Sequence, residues 1–173
     1  MSTENARVAM CLLAQREVGS SLYWWGGDGV SGRKELGRDC SGLVCGILTD
    51  LALAYPEIYD GGRLTAQGIY DHYDNLGLPD VTKTKDLRPG SLVFFNHADR
   101  KIHHIKIHLA VVPDLHLGGT HSFGPIAVDS GGGGSDTVSP RRALERAAQV
   151  RFSASDIHGR GLWRAKDPFV LLE

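Results

Sequence analysis

The chain has few cysteines, no excess of charge of either sign and no long apolar run. Three cysteines cannot all pair with one another, and the formal net charge is -1 at pH 7. Binding a phosphate backbone calls for a basic excess, so this balance argues against nucleic acid as a main partner. No run of residues has the length and apolar character of a membrane span. These absences predict a globular protein of a reducing compartment.

The length of 173 residues and the hydrophobic content of 42% suit one domain with a real core. We predict a single domain with a core over about residues 7–129 and a C-terminal extension, residues 130–173, that packs on or near it. Residues 1–7 include an acidic residue and no apolar stretch, so a signal peptide is not expected. The protein is therefore expected to be made in the cytoplasm.

One cysteine stands where a polar loop becomes an apolar helix. Asp39 is suited to cap this helix, which is predicted over residues 41–55, and Cys40 falls in its first turn. The N–H groups and the positive dipole end of a helix lower the pKa of a thiol from about 8.5 towards neutrality. Cys40 is therefore a candidate nucleophile. Cys11 and Cys45 lie inside apolar runs and suit the alternative role of a small buried hydrophobe.

The rest of the chain alternates between helical and strand periodicity. Helices are predicted over residues 5–18 and 65–75, and strands over residues 91–95, 102–112 and 126–129. In the long strand, Ile105 and Ile107 share the apolar face, while His104 and His108 point to the opposite face. The pattern predicts helices combined with strands.

Four segments of this sequence also resemble a known family when they are taken in order. They are Tyr23-Trp24-Trp25-Gly26-Gly27, Asp39-Cys40-Ser41-Gly42-Leu43-Val44, Leu87-Arg88-Pro89-Gly90-Ser91-Leu92-Val93-Phe94-Phe95 and His108-Leu109-Ala110-Val111-Val112. The set is similar to the NlpC/P60 family of papain-like cysteine peptidases, which cut cell-wall peptides of bacteria. Ser91 stands where the family usually has aspartate, and Ala110 where it usually has glycine. The resemblance implies a papain-like α+β fold, with N-terminal helices packed on a central antiparallel β-sheet.

The resemblance also implies a thiol mechanism. Such chemistry needs a thiolate, an imidazole that takes and returns the proton, and a polar group that orients the imidazole. By the resemblance Cys40 is the nucleophile and His108 the base, because the apolar strand after His108 matches the family pattern. His103 and His104 are the competing candidates for the base.

The orienting residue of the family follows its histidine by about a dozen positions, on the next strand. His121 stands 13 positions after His108 and is the predicted third residue, with His116 and Thr120 as alternatives. No cofactor is predicted. A metal site formed by the histidines around residue 104 is the less favoured reading, because no Asp, Glu or Cys lies at ligand spacing nearby.

The resemblance further implies which residues contact substrate. Tyr23, with Trp25 beside it, is expected to line the cleft over the nucleophile. Asp39 and Ser41 are expected to hold the amine end of a wall peptide, although capping the helix explains Asp39 equally well.

The function that follows is hydrolysis of amide bonds in peptidoglycan stem peptides, by an endopeptidase of the γ-D-glutamyl to diamino-acid type or by an amidase. A phage lysin, a phage tail hydrolase or an injected effector would need no signal peptide, and the C-terminal extension could then bind a phage tail or secretion-system partner. Two alternatives stay open. One is a non-enzymatic virion or assembly module with the same fold, and the other is an amidase or acyltransferase acting on amides outside the wall.

Overall fold

The computed structural model of the chain describes residues 2–27, 37–96, 101–112, 116–117, 120–121, 124–155 and 162–173. The α-helices in these ranges are α1 (Thr3–Arg16), α2 (Cys40–Ala52), α3 (Ala66–Asn75) and α4 (Pro140–Glu145). The strands are β1 (Leu92–Asn96), β2 (Ile102–Val112), β3 (His116–Leu117), β4 (Thr120–His121), β5 (Gly124–Gly131), β6 (Gln149–Ala154) and β7 (Leu162–Lys166). Two short 3-10 helices lie at Thr84–Asp86 and Pro168–Leu172.

The first three helices begin at side-chain caps that the sequence contains. Ser2, Asp39 and Thr65 each accept a hydrogen bond from the backbone N–H three residues later. The predicted helices therefore lie within a few residues of the observed ones. In the part of the chain that the structure describes, every helix is too short or too polar to cross a membrane.

Five of the described strands form one antiparallel sheet in the order β6-β5-β2-β1-β7. The helices α1, α2 and α3 pack against one face of it. That core contains Leu43 and Ile47 from α2, together with Ile105 and Ile107 from β2 and Val128 from β5. The fold is α+β, with N-terminal helices on a central antiparallel sheet, as the sequence predicts.

The segment after residue 130 supplies both edge strands of the sheet. β6 pairs with β5 on one side and β7 pairs with β1 on the other, and neither strand was predicted from the sequence. The basic stretch 141–150 is helical only as far as Glu145. At the C-terminus Phe169 is fully buried, and a 2.7 Å salt bridge between Arg7 and Asp167 ties this end to α1. These contacts make the last strands part of the sheet that carries the candidate site.

Candidate active site

A cavity of ≈ 580 Å³ opens at the start of α2. Its described lining consists of Tyr23, Trp25, Gly26, Asp39, Cys40, Ser41, Arg63, Thr65, Ala66, Ile102, His103, His104, Ser130, Gly131, Gly132 and Gly133. Cys40 is 9% exposed and belongs to this lining. Cys40 therefore borders the cavity and also packs in the hydrophobic core. All four residues predicted to bind substrate, Tyr23, Trp25, Asp39 and Ser41, also line the cavity.

Glycines bring the backbone segments of the cavity wall close together. The first turn of α2 lies so near the preceding aromatic-glycine segment that a Cβ on Gly42 would collide with the carbonyl oxygen of Gly27. On the other side of the cavity, a Cβ on Gly133 would collide with the ring of Tyr23. In the structure these two let segments of the protein approach one another.

Asp39 is held by an extensive set of donors. Its Oδ1 accepts hydrogen bonds from the Gly42 N–H at 2.6 Å and the Ser41 hydroxyl at 3.0 Å, and its Oδ2 accepts one from the Gly26 N–H at 3.1 Å. The Arg63 guanidinium donates to both oxygens, at 2.8 and 2.7 Å, and also to Ser41 Oγ at 2.9 Å. These five bonds occupy the acceptor positions of one carboxylate. Asp39 therefore fixes the start of α2 and is not poised to receive a substrate amine.

The pKa of the Cys40 thiol is shifted in the direction opposite to the one predicted from the sequence. Burial raises this pKa to about 12, and the negative charge of Asp39 adds to the increase. The backbone N–H groups of Ile105 on β2 and of Ser41 at the helix start lower it, but they do not offset the burial. The expectation of a thiol acidified by its helix was wrong for the resting protein, in which Cys40 is an uncharged thiol near neutral pH.

The sulfur lies against the beginning of β2. Cys40 Sγ is 4.0 Å from the carbonyl oxygen of His103, and the Ile105 N–H also points to it. His104 is the residue between these two contacts, and its side chain is in the cavity lining. The structure therefore places the backbone of residues 103–105 against Cys40, and His104 lines the same cavity.

His104 is paired with a carboxylate on the neighbouring strand. Its Nε2 lies 2.9 Å from Asp129 Oδ2, and both side chains are buried. Ile107 is opposite Val128 in the register of β2 and β5, which places Lys106 opposite Asp129 and His104 one diagonal step away on the same face. The pairing is thus a consequence of the sheet register.

The protonation states of this pair follow from burial and from the nearby charges. Burial lowers the pKa of His104, and the hydrogen bond to Asp129 opposes this only in part. Burial alone would raise the pKa of Asp129, but His104 together with the cations Lys106 and Arg151 makes the net change a decrease. At neutral pH the imidazole is therefore neutral and Asp129 is ionised. An ionised carboxylate only accepts hydrogen bonds, so Nε2 carries the proton and Nδ1 is the basic nitrogen.

His108 has a different environment from the one predicted for it. Its Nδ1 is 2.8 Å from Ser155 Oγ, and its side chain is 1% exposed. His104 and His108 are four positions apart on an extended strand, which separates them by about 13 Å. Among the described residues that line the cavity, His104 is included and His108 is not. The position of His108 away from this lining favours His104 as the candidate base.

The predicted third residue lies outside the sheet that holds the pair. The backbone of His121 belongs to β4, where it pairs with His116 of β3, and Thr120 pairs with Leu117. The side chains of His121, His116 and Thr120 lie outside what the structure describes. The carboxylate beside His104 is instead Asp129, 25 positions further along the chain, which was not singled out from the sequence. The sequence signal that could have identified Asp129 is its position as an acidic residue at the end of a predicted strand, directly before a glycine-rich run.

A hydrogen bond ties the strand of Asp129 to the loop of the nucleophile. The hydroxyl of Ser130 donates to the carbonyl oxygen of Arg38 at 2.6 Å, two residues before Cys40. Arg38 is itself held by a 3.0 Å salt bridge to Glu17 at the end of α1. These contacts position β5, the start of α2 and the end of α1 relative to one another.

The other cysteines do not form a second reactive site. Cys11, Cys40 and Cys45 are all free, and Cys45 is buried in the core, where its sulfur accepts a hydrogen bond from the Leu64 N–H at 3.3 Å. Burial raises the pKa of Cys11 to about 11. Within the described ranges, no group of three or more His, Cys, Asp or Glu side chains is arranged to hold a metal ion.

Comparison with known proteins gives one match. The sequence model of the NlpC/P60 family matches residues 20–134. That range includes the aromatic-glycine segment, the start of α2, β2 and Asp129. No curated protein matches the chain.

Proposed function

Because the chain belongs to the NlpC/P60 family, whose members hydrolyse cell-wall peptidoglycan, we propose that it cleaves amide bonds of stem peptides with Cys40, His104 and Asp129. The observation that carries this assignment is the 2.9 Å contact between His104 and Asp129 in the wall of the cavity that also holds Cys40. A nucleophile, a base and a group that orients the base are the parts that this chemistry requires.

The proposed reaction starts from a neutral thiol and a neutral imidazole. His104 Nδ1 takes the proton of Cys40 as the sulfur attacks the carbonyl carbon of the amide, and Asp129 stabilises the imidazolium that forms. The oxyanion is met by backbone N–H groups at the start of α2, a type of contact that often contributes about 3 kcal/mol. His104 then gives its proton to the leaving amine, and water hydrolyses the resulting thioester with His104 again as base.

The substrate contacts are assigned to the rim and wall of the cavity. Trp25 is 51% exposed and Tyr23 is buried beneath the mouth, so an aromatic surface is available to the peptide or to the sugar attached to it. Ser41 completes this wall next to the nucleophile. We assign Asp39 to holding Arg63 and the first turn of α2 in place, because its oxygens already accept five hydrogen bonds.

Digestion of purified peptidoglycan tests this function. The wild-type protein is expected to release peptide fragments whose masses identify the bond that is cut. Cys40→Ala is expected to release none while keeping its circular dichroism spectrum and melting temperature. Cys11→Ala serves as the matched control and is expected to act like wild type. Cys11 lies on α1 and is not among the described residues of the cavity lining. Full activity of Cys40→Ala would refute the thiol mechanism.

Wild-type protein that releases no fragments would favour the non-enzymatic module, and activity only on small amides would favour the amidase or acyltransferase. A phage or injected origin, and a partner for the C-terminal extension, remain predictions from the sequence.

A further inference from the structure

A lysine is buried directly behind the His104–Asp129 pair. Lys106 lies on β2, and its side chain is 2% exposed. Its Nζ donates to the carbonyl oxygen of Ala154 at 2.8 Å, lies 3.9 Å from Asp129 Oδ2, and sits 5.1 Å from the centre of the Phe95 ring. Taking an ammonium group out of water costs several kcal/mol unless partners compensate for it. The fold therefore maintains a cation at this position at a cost in desolvation.

Asp129 lies between two cations that come from different strands. Lys106 faces it from β2, and Arg151 is its cross-strand partner on β6, with Nε 3.7 Å from Oδ1. Arg151 is 43% exposed, so solvent screens its charge, whereas Lys106 acts from a dry position. The charged groups that act on the pKa of His104 are Asp129 on β5, Lys106 on β2 and Arg151 on β6. The other charged and titratable residues of the same cavity lining are Tyr23, Asp39, Cys40, Arg63 and His103.

The two cations affect the pair in a consistent way. Burial is the main cause of the lowered pKa of His104, and the two cations lower it further because they disfavour its protonated form. The same cations, together with His104, favour the ionised form of Asp129 and lower its pKa. Because the interaction of two charges weakens with distance and with solvent, the buried Lys106 should exert the larger effect.

We propose that Lys106 is a positioning residue of the reaction, whose buried ammonium holds Asp129 as a carboxylate and keeps His104 uncharged, ready to accept the proton of Cys40. This inference rests on the proposed function, in which His104 is the base. It assigns Lys106 no contact with substrate. In the resting site the cation disfavours the imidazolium form of His104.

Lys106→Met tests the inference, because methionine has a similar length and no charge. The first readout is the pH dependence of kcat/KM on peptidoglycan, and the second is the titration of the His104 ring followed by nitrogen-15 NMR. Removing a cation makes protonation of His104 easier. Both the acid limb of the activity profile and the His104 titration are therefore expected to move to higher pH. Lys106→Arg keeps the charge and is expected to restore the wild-type position.

Lys166 provides a matched control on β7. It is also 2% exposed, and it contacts Asp74 at 2.8 Å and Asp80 at 3.1 Å and lies 4.9 Å from the centre of the Tyr70 ring. Lys166→Met removes an equally buried ammonium that has no described contact with the His104–Asp129 pair. It is expected to lower stability and to leave both pH readouts unchanged.

Three results would overturn the inference. They are a His104 titration in Lys106→Met that coincides with wild type, one that moves to lower pH, and an equal shift in Lys166→Met. Should Lys106→Met fail to fold, Lys106→Gln, whose amide can still donate to the Ala154 carbonyl oxygen, is measured in the same way. If the wild type cuts no peptidoglycan, the proposed function fails, while the NMR titration still decides the effect of Lys106 on His104.

Discussion

Replacing Asp129 with alanine is the sharpest perturbation of the proposed site. The side chain is 1% exposed, accepts the hydrogen bond of His104 Nε2 and neutralises the buried Lys106. Asp129→Ala therefore removes the group that orients the base and leaves a buried cation without its carboxylate. Both activity and stability should fall, for separate physical reasons.

The expected magnitudes follow from the contacts. A hydrogen bond to a charged group contributes about 1.5–3 kcal/mol, which corresponds to a kcat about 10- to 150-fold lower if the bond is needed in the transition state. Removing one partner of a buried ion pair costs about 3–5 kcal/mol of unfolding free energy. Asp129→Asn keeps an oxygen that can accept from Nε2, so its loss in kcat should be smaller than that of Asp129→Ala.

The assay compares these variants with His121→Ala on one peptidoglycan preparation. Initial rates of fragment release give kcat and KM, and denaturant unfolding gives the stability. The account expects both Asp129 variants to lose kcat in the stated order and His121→Ala to stay within about threefold of wild type. A larger loss in His121→Ala than in Asp129→Ala would refute the assignment of the orienting residue.

Three further predictions concern pH and the cavity wall. The burial of His104 lowers its pKa below the ordinary value of 6.5, and a base must be unprotonated to act. The value of kcat/KM should therefore stay constant as the pH falls to about 6.5 and should decrease only below that pH. A decrease in kcat/KM that begins above pH 6.5 would contradict this prediction. With the pKa of Cys40 at about 12, its alkylation by iodoacetamide should become about tenfold faster per pH unit from neutral to alkaline pH; a rate already at its plateau near neutral pH would indicate a preformed thiolate. Arg63→Ala should lower the unfolding free energy by about 1–3 kcal/mol, measured with denaturant, because it removes both hydrogen bonds from Arg63 to Asp39; unchanged stability would show that Arg63 does not hold the cavity wall.

The elements around the nucleophile could be predicted from the sequence because their signals are local. Asp39 caps α2 by accepting a hydrogen bond from the Gly42 N–H, three residues later, and Cys40 follows Asp39 directly. The strand over residues 102–112 is also predicted with its observed bounds, since the alternation of apolar residues identifies it and its core-facing side. Local caps and periodicity do not depend on the rest of the fold.

The choice of the proposed base and of its proposed partner depends on contacts between residues that are distant in sequence. His104, His108 and Lys106 share one face of β2, so periodicity cannot distinguish them. The choice depends on where α2 meets the strand, at residues 103 and 105. The partner was sought about a dozen positions after the histidine, but the hairpin of β3 and β4 comes between β2 and β5 and moves Asp129 to 25 positions after His104.

The acidity of Cys40 could not be predicted for a similar reason. A helix start lowers a thiol pKa, and its N–H groups do so here, but the burial produced by β2 and the charge of Asp39 have the larger effect. Burial is a property of the assembled fold and cannot be read from the residues next to Cys40. The edge strands β6 and β7 were missed because their pairing partners lie far away in the chain.

The most direct test of the central claim is the rate of peptidoglycan hydrolysis by His104→Ala beside that of His108→Ala. The account predicts that His104→Ala loses activity to the level of Cys40→Ala. It predicts that His108→Ala, which loses a buried hydrogen bond to Ser155, is less stable but keeps most of its turnover at temperatures where it is folded. Full loss in folded His108→Ala with activity retained in His104→Ala would contradict the account.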